Sequence, residues 1–178
     1  KQQEYRLNPT ARAENYPFYA SDNEHPYVFD EEKPFIWIRP NIVGGKSIMW
    51  GRQCYRWSEQ DFRANKVDGH GLDWPVRYND IEPWYSHVER IIGISGEKLG
   101  LDQLPDSEFQ PPMPMNILEK ELRAVAASEF DGRVVTMGRV ANLTENMLEN
   151  GRVRCQYRNQ CHRGCRFGAY FSTQSTTL

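Results

Sequence analysis

The chain has 178 residues, of which 39% are hydrophobic and 26% are charged, enough for one globular domain with its own core. Its 22 Lys and Arg against 24 Asp and Glu leave a net charge of -2. That balance argues against a nucleic-acid partner, because a polyphosphate calls for a basic excess. The apolar runs are short, so no membrane-spanning segment is predicted. The start lacks a Met and an apolar signal sequence, and the end lacks a closing element, so we expect a piece of a longer protein.

Three successive units are predicted within this larger protein. Residues 1–34 are polar and interrupted by prolines, which favours an extended segment that wraps over other structure. Residues 35–96 open with Phe35–Pro40, where large apolar side chains predict a short strand that Pro40 ends. Residues 97–178 form the third unit.

A short helix is predicted after Ser58, because Ser58 and Asp61 have the spacing of a capping box. We expect this helix to end near Asn65. The loop that follows, residues 67–75, is rich in Gly and Asp and carries His70. His70 can serve the structure of the loop or approach a substrate.

The strongest helical pattern lies in residues 79–93. Asn79 or Asp80 can cap this helix, and Pro83 is tolerated in its first turn, where backbone N–H groups have no helical acceptor. Gly93 and Gly96 are expected to close it. Six side chains recur with the helical period and are expected to face the core: Ile81, Trp84, Tyr85, Val88, Ile91 and Ile92.

The third unit alternates short elements with loops. Residues 97–115 have the Pro-rich composition of a linker, and residues 117–130 predict a second amphipathic helix. Residues 133–143 predict one strand or two short ones, and Asn150-Gly151 predicts a hairpin-like turn into a strand. A cysteine-glycine loop that leads into a helix is predicted for the last residues of the sequence. Together these elements predict the α+β fold class.

Two adjacent glycines, Gly44 and Gly45, precede Ser47 in a segment that is rich in aromatic and basic residues. Paired glycines let backbone N–H groups approach a ligand that a Cβ would keep away, and the Ser47 hydroxyl adds a donor. A tight turn after a strand explains the same pair without any ligand. Both interpretations are open on local sequence alone.

The wider sequence carries a family resemblance in three blocks. GGKSIMWGR, residues 44–52, resembles the flavin-facing motif of the glucose–methanol–choline (GMC) FAD-dependent oxidoreductases. It looks most like the branch of pyranose oxidases, glycoside 3-dehydrogenases and gluconate dehydrogenase large subunits. DWPVRYNDIEPWYSHVERIIGISG, residues 73–96, is similar to the family's Trp-Pro block and its trailing helix. NQCHRGCRFGAYFSTQSTTL, residues 159–178, resembles its cysteine-containing Gly-Ala segment.

The resemblance implies a central fragment of a two-domain flavoprotein, between a Rossmann-like FAD domain and a substrate-binding sheet domain. The fragment would lack the N-terminal dinucleotide-binding βαβ unit. The implied reaction is hydride transfer from a CH-OH group of a sugar, glycoside or related polyol to the flavin. The family's catalytic His pair has no counterpart here, so no residue is expected to be catalytic and the fragment alone is expected to be inactive. The residues that would contact FAD are Val43, Gly44, Gly45, Ser47, Met49, Trp50, Gly51 and Arg52.

Within this motif the resemblance implies particular roles. Met49 and Trp50 would pack near the flavin ring, and Arg52 or Gln53 would lie near negative charge on the reduced flavin. A structural ion pair is the alternative for Arg52. Met49 stands where some pyranose oxidases have a His that bonds covalently to the flavin. A thioether cannot form that bond, so the FAD is expected to be noncovalent.

Three cysteines, Cys155, Cys161 and Cys165, fall within eleven residues. Some related dehydrogenase subunits carry an iron–sulfur cluster in a similar segment, and Cys161 and Cys165 match its positions, whereas Cys155 is one residue out of register. Free thiols in a loop, a zinc site with His162 and a disulfide are the alternatives.

Two further classes of function stay open. One is a cytochrome-coupled flavoprotein dehydrogenase subunit with an iron–sulfur relay, whose partners would be a small accessory subunit or a cytochrome. The other is a non-catalytic binding or cap module. For the first-choice flavoenzyme, the expected partner is a small sugar or glycoside substrate.

Overall fold

The computed structural model describes residues 16–159, 161 and 165–176. Its α-helices are α1 (Glu59–Asp68), α2 (Tyr78–Ile92), α3 (Ile117–Glu129) and α4 (Thr173–Thr176). Its 3-10 turns are Tyr16–Phe18, Gly45–Ile48 and Leu148–Asn150. Within these described ranges no helix has the length and apolar character that crossing a bilayer requires.

A central segment, residues 139–143, organises the fold. Among the described residues backbone pairing is confined to isolated bridges. The central segment hydrogen-bonds to four other places in the chain, which are residues 52–54, Ser95, Cys155 and residues 169–171. The backbone N–H of Ala141 donates to the carbonyl of Arg52 (2.8 Å), and the carbonyl of Ala141 accepts from Phe171 (2.9 Å). Ala141 and Leu143 have no exposed surface, so this crossing lies in the core.

The predicted first helix is confirmed as α1. The backbone N–H of Ser58 donates to Asp61 Oδ2 at 2.7 Å, which is the bond to the N3 side chain that a capping box requires, and the Ser58 hydroxyl donates to the same oxygen at 2.9 Å. The helix runs to Asp68, three residues beyond the predicted end near Asn65, and stops where Gly69 has a φ of 72°.

The second predicted helix is confirmed as α2, but its start was placed too late. Arg77 is the N-cap rather than Asn79 or Asp80, and the Asp80 carboxylate accepts from the Arg77 backbone N–H at 2.8 Å. Pro83 is therefore the sixth helical residue and lies beyond the first turn, contrary to the prediction. Gly93, with a φ of 72°, ends the helix as expected.

The apolar stripe of α2 does not face the core of the described residues, so that expectation is wrong for its exposed members. Trp84, Val88 and Ile91 are 67%, 50% and 44% exposed. The buried residue of this helix is Glu89, whose carboxylate bonds to the buried Arg56. The polar side of α2 thus packs inward because a buried cation lies there.

Phe35–Pro40 is not a strand. The Tyr27 hydroxyl accepts from the backbone N–H of Trp37 (3.1 Å) and donates to the carbonyl of Phe35 (2.9 Å). A side chain therefore satisfies backbone groups that a partner strand would otherwise bond. Pro40 forms one isolated bridge with Tyr19.

The elements of the third unit match the sequence in part. Helix α3 follows the prediction, and Asn116 caps it by accepting from the backbone N–H of Glu119 at 2.9 Å. The Asn150-Gly151 turn is present, with Gly151 at a φ of 66°. It closes a single bridge between Met147 and Arg152 rather than leading into a strand.

Candidate functional site

The two glycines shape the start of the candidate site in different ways. Gly44 has a φ of 92°, and a Cβ built on it would lie 2.8 Å from Ile48 Cδ1. Gly45 has a φ of 53°, and no atom of the described residues lies within 4 Å of the Cβ it would carry. Gly44 is therefore required by packing, whereas Gly45 leaves open space beside the backbone. The predicted turn is present, with an open flank of the kind that a ligand would need.

The side chain of Ser47 joins this turn to the end of the chain. Its hydroxyl donates to the carbonyl of Gly44 at 2.6 Å, and it lies 2.9 Å from Thr173 Oγ1. The backbone N–H of Thr173 donates to Ser47 Oγ at 3.1 Å. Thr173 is the first residue of α4, so the turn and α4 are held together directly.

Two aromatic residues reinforce the same junction. The Tyr170 hydroxyl donates to the carbonyl of Ser47 at 3.1 Å. Trp50 Nε1 donates to the carbonyl of Phe171 at 3.1 Å, and the rings of Trp50 and Phe171 meet edge to face at 6.3 Å. The structure thus joins the first and third sequence blocks, although more than 120 residues separate these bonded pairs.

Arg52 is unusual because its charged side chain is buried and its backbone has a positive φ. It is 7% exposed and has a φ of 63°, a backbone conformation that L residues with side chains rarely adopt. Its guanidinium carbon lies 4.2 Å from the centroid of the Tyr170 ring. Its Nη1 is buried without a hydrogen-bond partner, and Arg52 forms no ion pair, among the residues that the structure describes. The alternative of a structural ion pair is therefore not found there.

Tyr170 stays protonated at neutral pH. Burial raises the pKa of its hydroxyl to about 12; the Arg52 guanidinium opposes the rise, and Cys161 and Cys165 add to it. The Tyr170 hydroxyl therefore keeps the proton with which it bonds to Ser47.

The second sequence block is connected to the first through Arg56, a residue that the sequence analysis did not select. Arg56 bonds to Glu89 (2.6 Å) and Ser86 (2.9 Å) of α2, and to Ser107 (2.7 Å). Its Nη1 donates to the Tyr78 hydroxyl at 2.8 Å. In the structure Arg56 is buried, whereas the flanking Tyr55 and Trp57 are 47% and 50% exposed. The sequence carried no signal for this, because alternation of aromatic and polar residues favours the aromatic side chains as the buried ones.

The other predicted contact residues lie around this junction with different exposure. Val43 is 75% exposed, Gly51 is exposed and Met49 is half-buried. Gln53 and His70 are exposed. The structure therefore groups the glycine turn with Trp50 and Arg52, and leaves Val43 and Gly51 at the surface.

The cysteines of the third unit form no disulfide. Cys155, Cys161 and Cys165 are free and half-buried. Among the described residues no group of three or more His, Cys, Asp or Glu side chains could hold a metal ion. His162, the predicted partner in a zinc site, lies outside the described residues.

Comparison with known proteins finds partial relatives of low identity. The chain is 25% identical to the fructose dehydrogenase large subunit of Gluconobacter japonicus over 131 residues, which is 73% of this chain and 24% of that protein. It is 31% identical to 2-methyl-1,2-propanediol dehydrogenase of Mycolicibacterium austroafricanum over 112 residues, or 60% of this chain and 17% of that protein. It is 33% identical to paromamine 6'-oxidase of Streptomyces fradiae over 67 residues, or 36% of this chain and 12% of that protein. No family model matches the chain.

These relatives share a reaction type. Two are named as dehydrogenases, of fructose and of a propanediol, and the third as an oxidase of paromamine. The chain is therefore related to oxidoreductases that act on alcohol groups. It spans no more than 24% of the length of these relatives.

Proposed function

We propose that the chain is part of a GMC-type oxidoreductase that holds FAD noncovalently and oxidises a CH-OH group of a sugar, glycoside or related polyol. The names of the relatives support the reaction and the substrate class. The three sequence blocks support the family, with an α+β fragment between the FAD domain and the substrate-binding sheet. The catalytic base would come from another part of the full-length protein.

One observation carries the cofactor assignment, the state of Arg52. A buried guanidinium without a carboxylate partner is costly, and a left-handed backbone at a residue with a side chain adds strain of about 1–2 kcal/mol. Such strain is concentrated at ligand sites, where the ligand compensates for it. An anionic group of a bound cofactor would supply the missing partner of Arg52 Nη1.

The neighbouring residues fit the same cofactor. The open flank of Gly45 would admit a ring or a phosphate close to the backbone. Trp50 and Met49 would offer apolar surface to a planar ring, and Trp50 is fixed in place by its bond to Phe171. When bound, FAD would supply the hydride acceptance that no side chain provides. The chain's own contribution is to bind and orient the cofactor and to balance its charge.

The test is the cofactor content of the protein produced at its natural full length. We expect the absorbance bands of a flavin, and we expect Arg52→Met to raise the Kd for FAD at least about tenfold, since hydrogen bonds to charged groups contribute about 1.5–3 kcal/mol. Arg63→Met is the matched control, because Arg63 is half-exposed on α1, in a surface pair with Glu59. A wild-type protein that neither contains nor binds flavin would overturn the proposal.

A second candidate function, the dehydrogenase subunit with an iron–sulfur relay, has one observation in its favour. Arg152 is 1% exposed, and its Nη2 has no partner among the described residues. Burial lowers the pKa of Arg152, and only Cys165 opposes this. An anionic cluster at Cys161 and Cys165 would balance that charge, but no third ligand of the described residues lies with them. Iron analysis and a broad brown absorbance, in addition to flavin bands, would identify this alternative.

A further inference from the structure

The hydroxyl of Ser47 has no hydrogen-bonding capacity left for a ligand. A serine hydroxyl has one proton to donate and two lone pairs to accept with. The proton is donated to the Gly44 carbonyl at 2.6 Å. The lone pairs accept from the backbone N–H of Thr173 at 3.1 Å and from the Thr173 hydroxyl, for which Ser47 Oγ at 2.9 Å is a nearer acceptor than the Gly44 carbonyl at 3.4 Å.

We infer that Ser47 is a positioning residue rather than a cofactor contact, and that Thr173 is its partner in positioning the glycine turn. The inference rests on the proposed function and changes the role expected for Ser47. The Arg52 guanidinium remains as a donor for the cofactor, whereas the backbone N–H groups of Gly45 and Met49 already donate to the carbonyls of Ile42 and Lys46. Thr173, which the sequence analysis did not select, becomes a residue of the site. We call four hydrogen-bonding groups the Ser47–Thr173 clasp: the hydroxyls of Ser47 and Thr173, the Thr173 backbone N–H and the Gly44 carbonyl.

The turn needs such a clasp because its own bonds are weak. Gly45–Ile48 is a single 3-10 turn, and both glycines before Lys46 have positive φ angles. A 3-10 turn has poor hydrogen-bond geometry, and glycine loses more conformational freedom on folding than any other residue. Tertiary contacts must therefore hold the conformation. The clasp and the bond from Tyr170 to the Ser47 carbonyl are those contacts.

A positioning role and a cofactor contact of Ser47 predict different combined effects of substitutions at Ser47 and Thr173. If Ser47 and Thr173 act as one clasp, Thr173→Val removes the bond between the two hydroxyls, Ser47→Ala removes that bond and the other two, and the double variant loses little more than Ser47→Ala alone. If the Ser47 hydroxyl contacts the cofactor by itself, the two effects multiply. Thr173→Val preserves shape and removes the hydroxyl, whereas Thr173→Ser keeps the hydroxyl and serves as the rescue variant.

The experiment is a double-mutant cycle on the protein at its natural full length, with two measurements. Hydrogen exchange of the amides in residues 44–49 reports on the turn without any flavin. Fluorescence titration of the apoprotein with FAD reports on binding. We expect each single variant to speed exchange and to raise the Kd for FAD about three- to tenfold, because a net hydrogen bond contributes about 0.5–1.5 kcal/mol. We expect the double variant to match Ser47→Ala and Thr173→Ser to match the wild type.

Three results would overturn the inference: multiplied effects in the double variant, weaker FAD binding by Ser47→Ala with unchanged exchange of the turn, or no effect of Thr173→Val in either measurement. The exchange measurement also keeps this inference separate from the proposed function. A wild-type protein that binds no FAD would remove the function, whereas the exchange rates would still show whether Ser47 and Thr173 hold the turn together. If Ser47→Ala does not fold, the comparison of Thr173→Val with Thr173→Ser decides the same question.

Discussion

Arg56 Nη2 lies 2.6 Å from Glu89 Oε2, and the two side chains are only 2% and 8% exposed. Burial alone would lower the pKa of Arg56, but the hydrogen bonds with Glu89 and Tyr78 outweigh it, and the pKa is raised. This buried pair joins the extended segment after the glycine turn to α2. It also explains why α2 presents a charged residue inward and Trp84 outward.

Breaking this pair should destabilise the fold more than any surface substitution. Glu89→Gln leaves the buried Arg56 charge with only the Glu82 carboxylate, which is 49% exposed and lies 3.8 Å from Nη1, so the free energy of unfolding should fall by about 3–5 kcal/mol in urea titrations. Glu108→Gln is the control, because Glu108 and Arg90 form an ion pair whose side chains are 65% and 52% exposed. Loss of an exposed pair should cost about 1 kcal/mol or less. Equal losses in the two variants would contradict the anchoring role of Glu89.

Cys54 should be unreactive in the folded protein. Burial raises the pKa of its thiol to about 11, the Glu89 carboxylate adds to the rise, and a hydrogen bond with the Ala141 backbone opposes it. The thiolate is the nucleophile and the pKa rises from an ordinary value of 9.0, so alkylation of Cys54 by iodoacetamide at pH 8 should be about a hundredfold slower in the native than in the urea-unfolded chain. Peptide mass spectrometry measures both rates.

The raised pKa of Cys54 also makes the free energy of unfolding depend on pH. Since the native pKa is raised from 9.0, the contribution of Cys54 to stability is complete below about pH 9 and is lost as the pH rises toward 11. Native alkylation of Cys54 should accelerate over the same interval. A native rate at pH 8 equal to the unfolded rate would show that this thiol is not buried as described.

The features that the sequence predicted well are those that local interactions decide. The capping of α1 by Ser58 and Asp61 depends on residues three positions apart, and Gly93 ends α2 through its own left-handed backbone. The period of α2 identified an apolar stripe correctly. The period could not predict which side of α2 faces inward, because that depends on the bond between Glu89 and Arg56, which lies 33 residues away in the sequence.

The sequence selected the segment of the candidate site but could not predict its contacts. The glycine pair and the family resemblance selected residues 44–52, which include the strained Arg52. The partners of that segment, Tyr170 and Thr173, lie more than 120 residues away from Ser47, and no local pattern pairs them. Phe35–Pro40 shows the same limit, since the strand pattern was overruled by the hydroxyl of Tyr27.

The two glycines of the turn should respond differently to alanine. Gly44→Ala forces a Cβ to within 2.8 Å of Ile48 and 3.2 Å of Thr173 Oγ1, at a φ of 92°, so we expect a loss of at least about 2 kcal/mol in the free energy of unfolding. Gly45→Ala meets no atom within 4 Å and has only the cost of a positive φ, about 1 kcal/mol.

FAD binding should be affected by Gly45→Ala, although this substitution has the smaller effect on stability. Under the proposed function, the Cβ of Gly45→Ala would enter the space that the cofactor occupies, so the folded variant should bind FAD several-fold more weakly than its small stability loss explains. Chemical unfolding and FAD titration of the same sample separate the two effects. Unchanged FAD affinity in Gly45→Ala would move the cofactor away from the open flank of this turn.

Met49 makes the mode of flavin attachment testable. A thioether at this position offers no ring nitrogen for a covalent bond to the cofactor, so under the proposed function acid precipitation of the holoprotein should leave all of the flavin in the supernatant. Absorbance of the supernatant and of the redissolved pellet gives the distribution, and a protein with covalently bound flavin serves as the control for retention. Met49→Leu should release its flavin equally, because neither side chain bonds to the ring. Flavin retained by both the wild type and Met49→Leu would place a covalent bond on another residue. Flavin retained by the wild type alone would place the bond on Met49. Either result would contradict noncovalent binding.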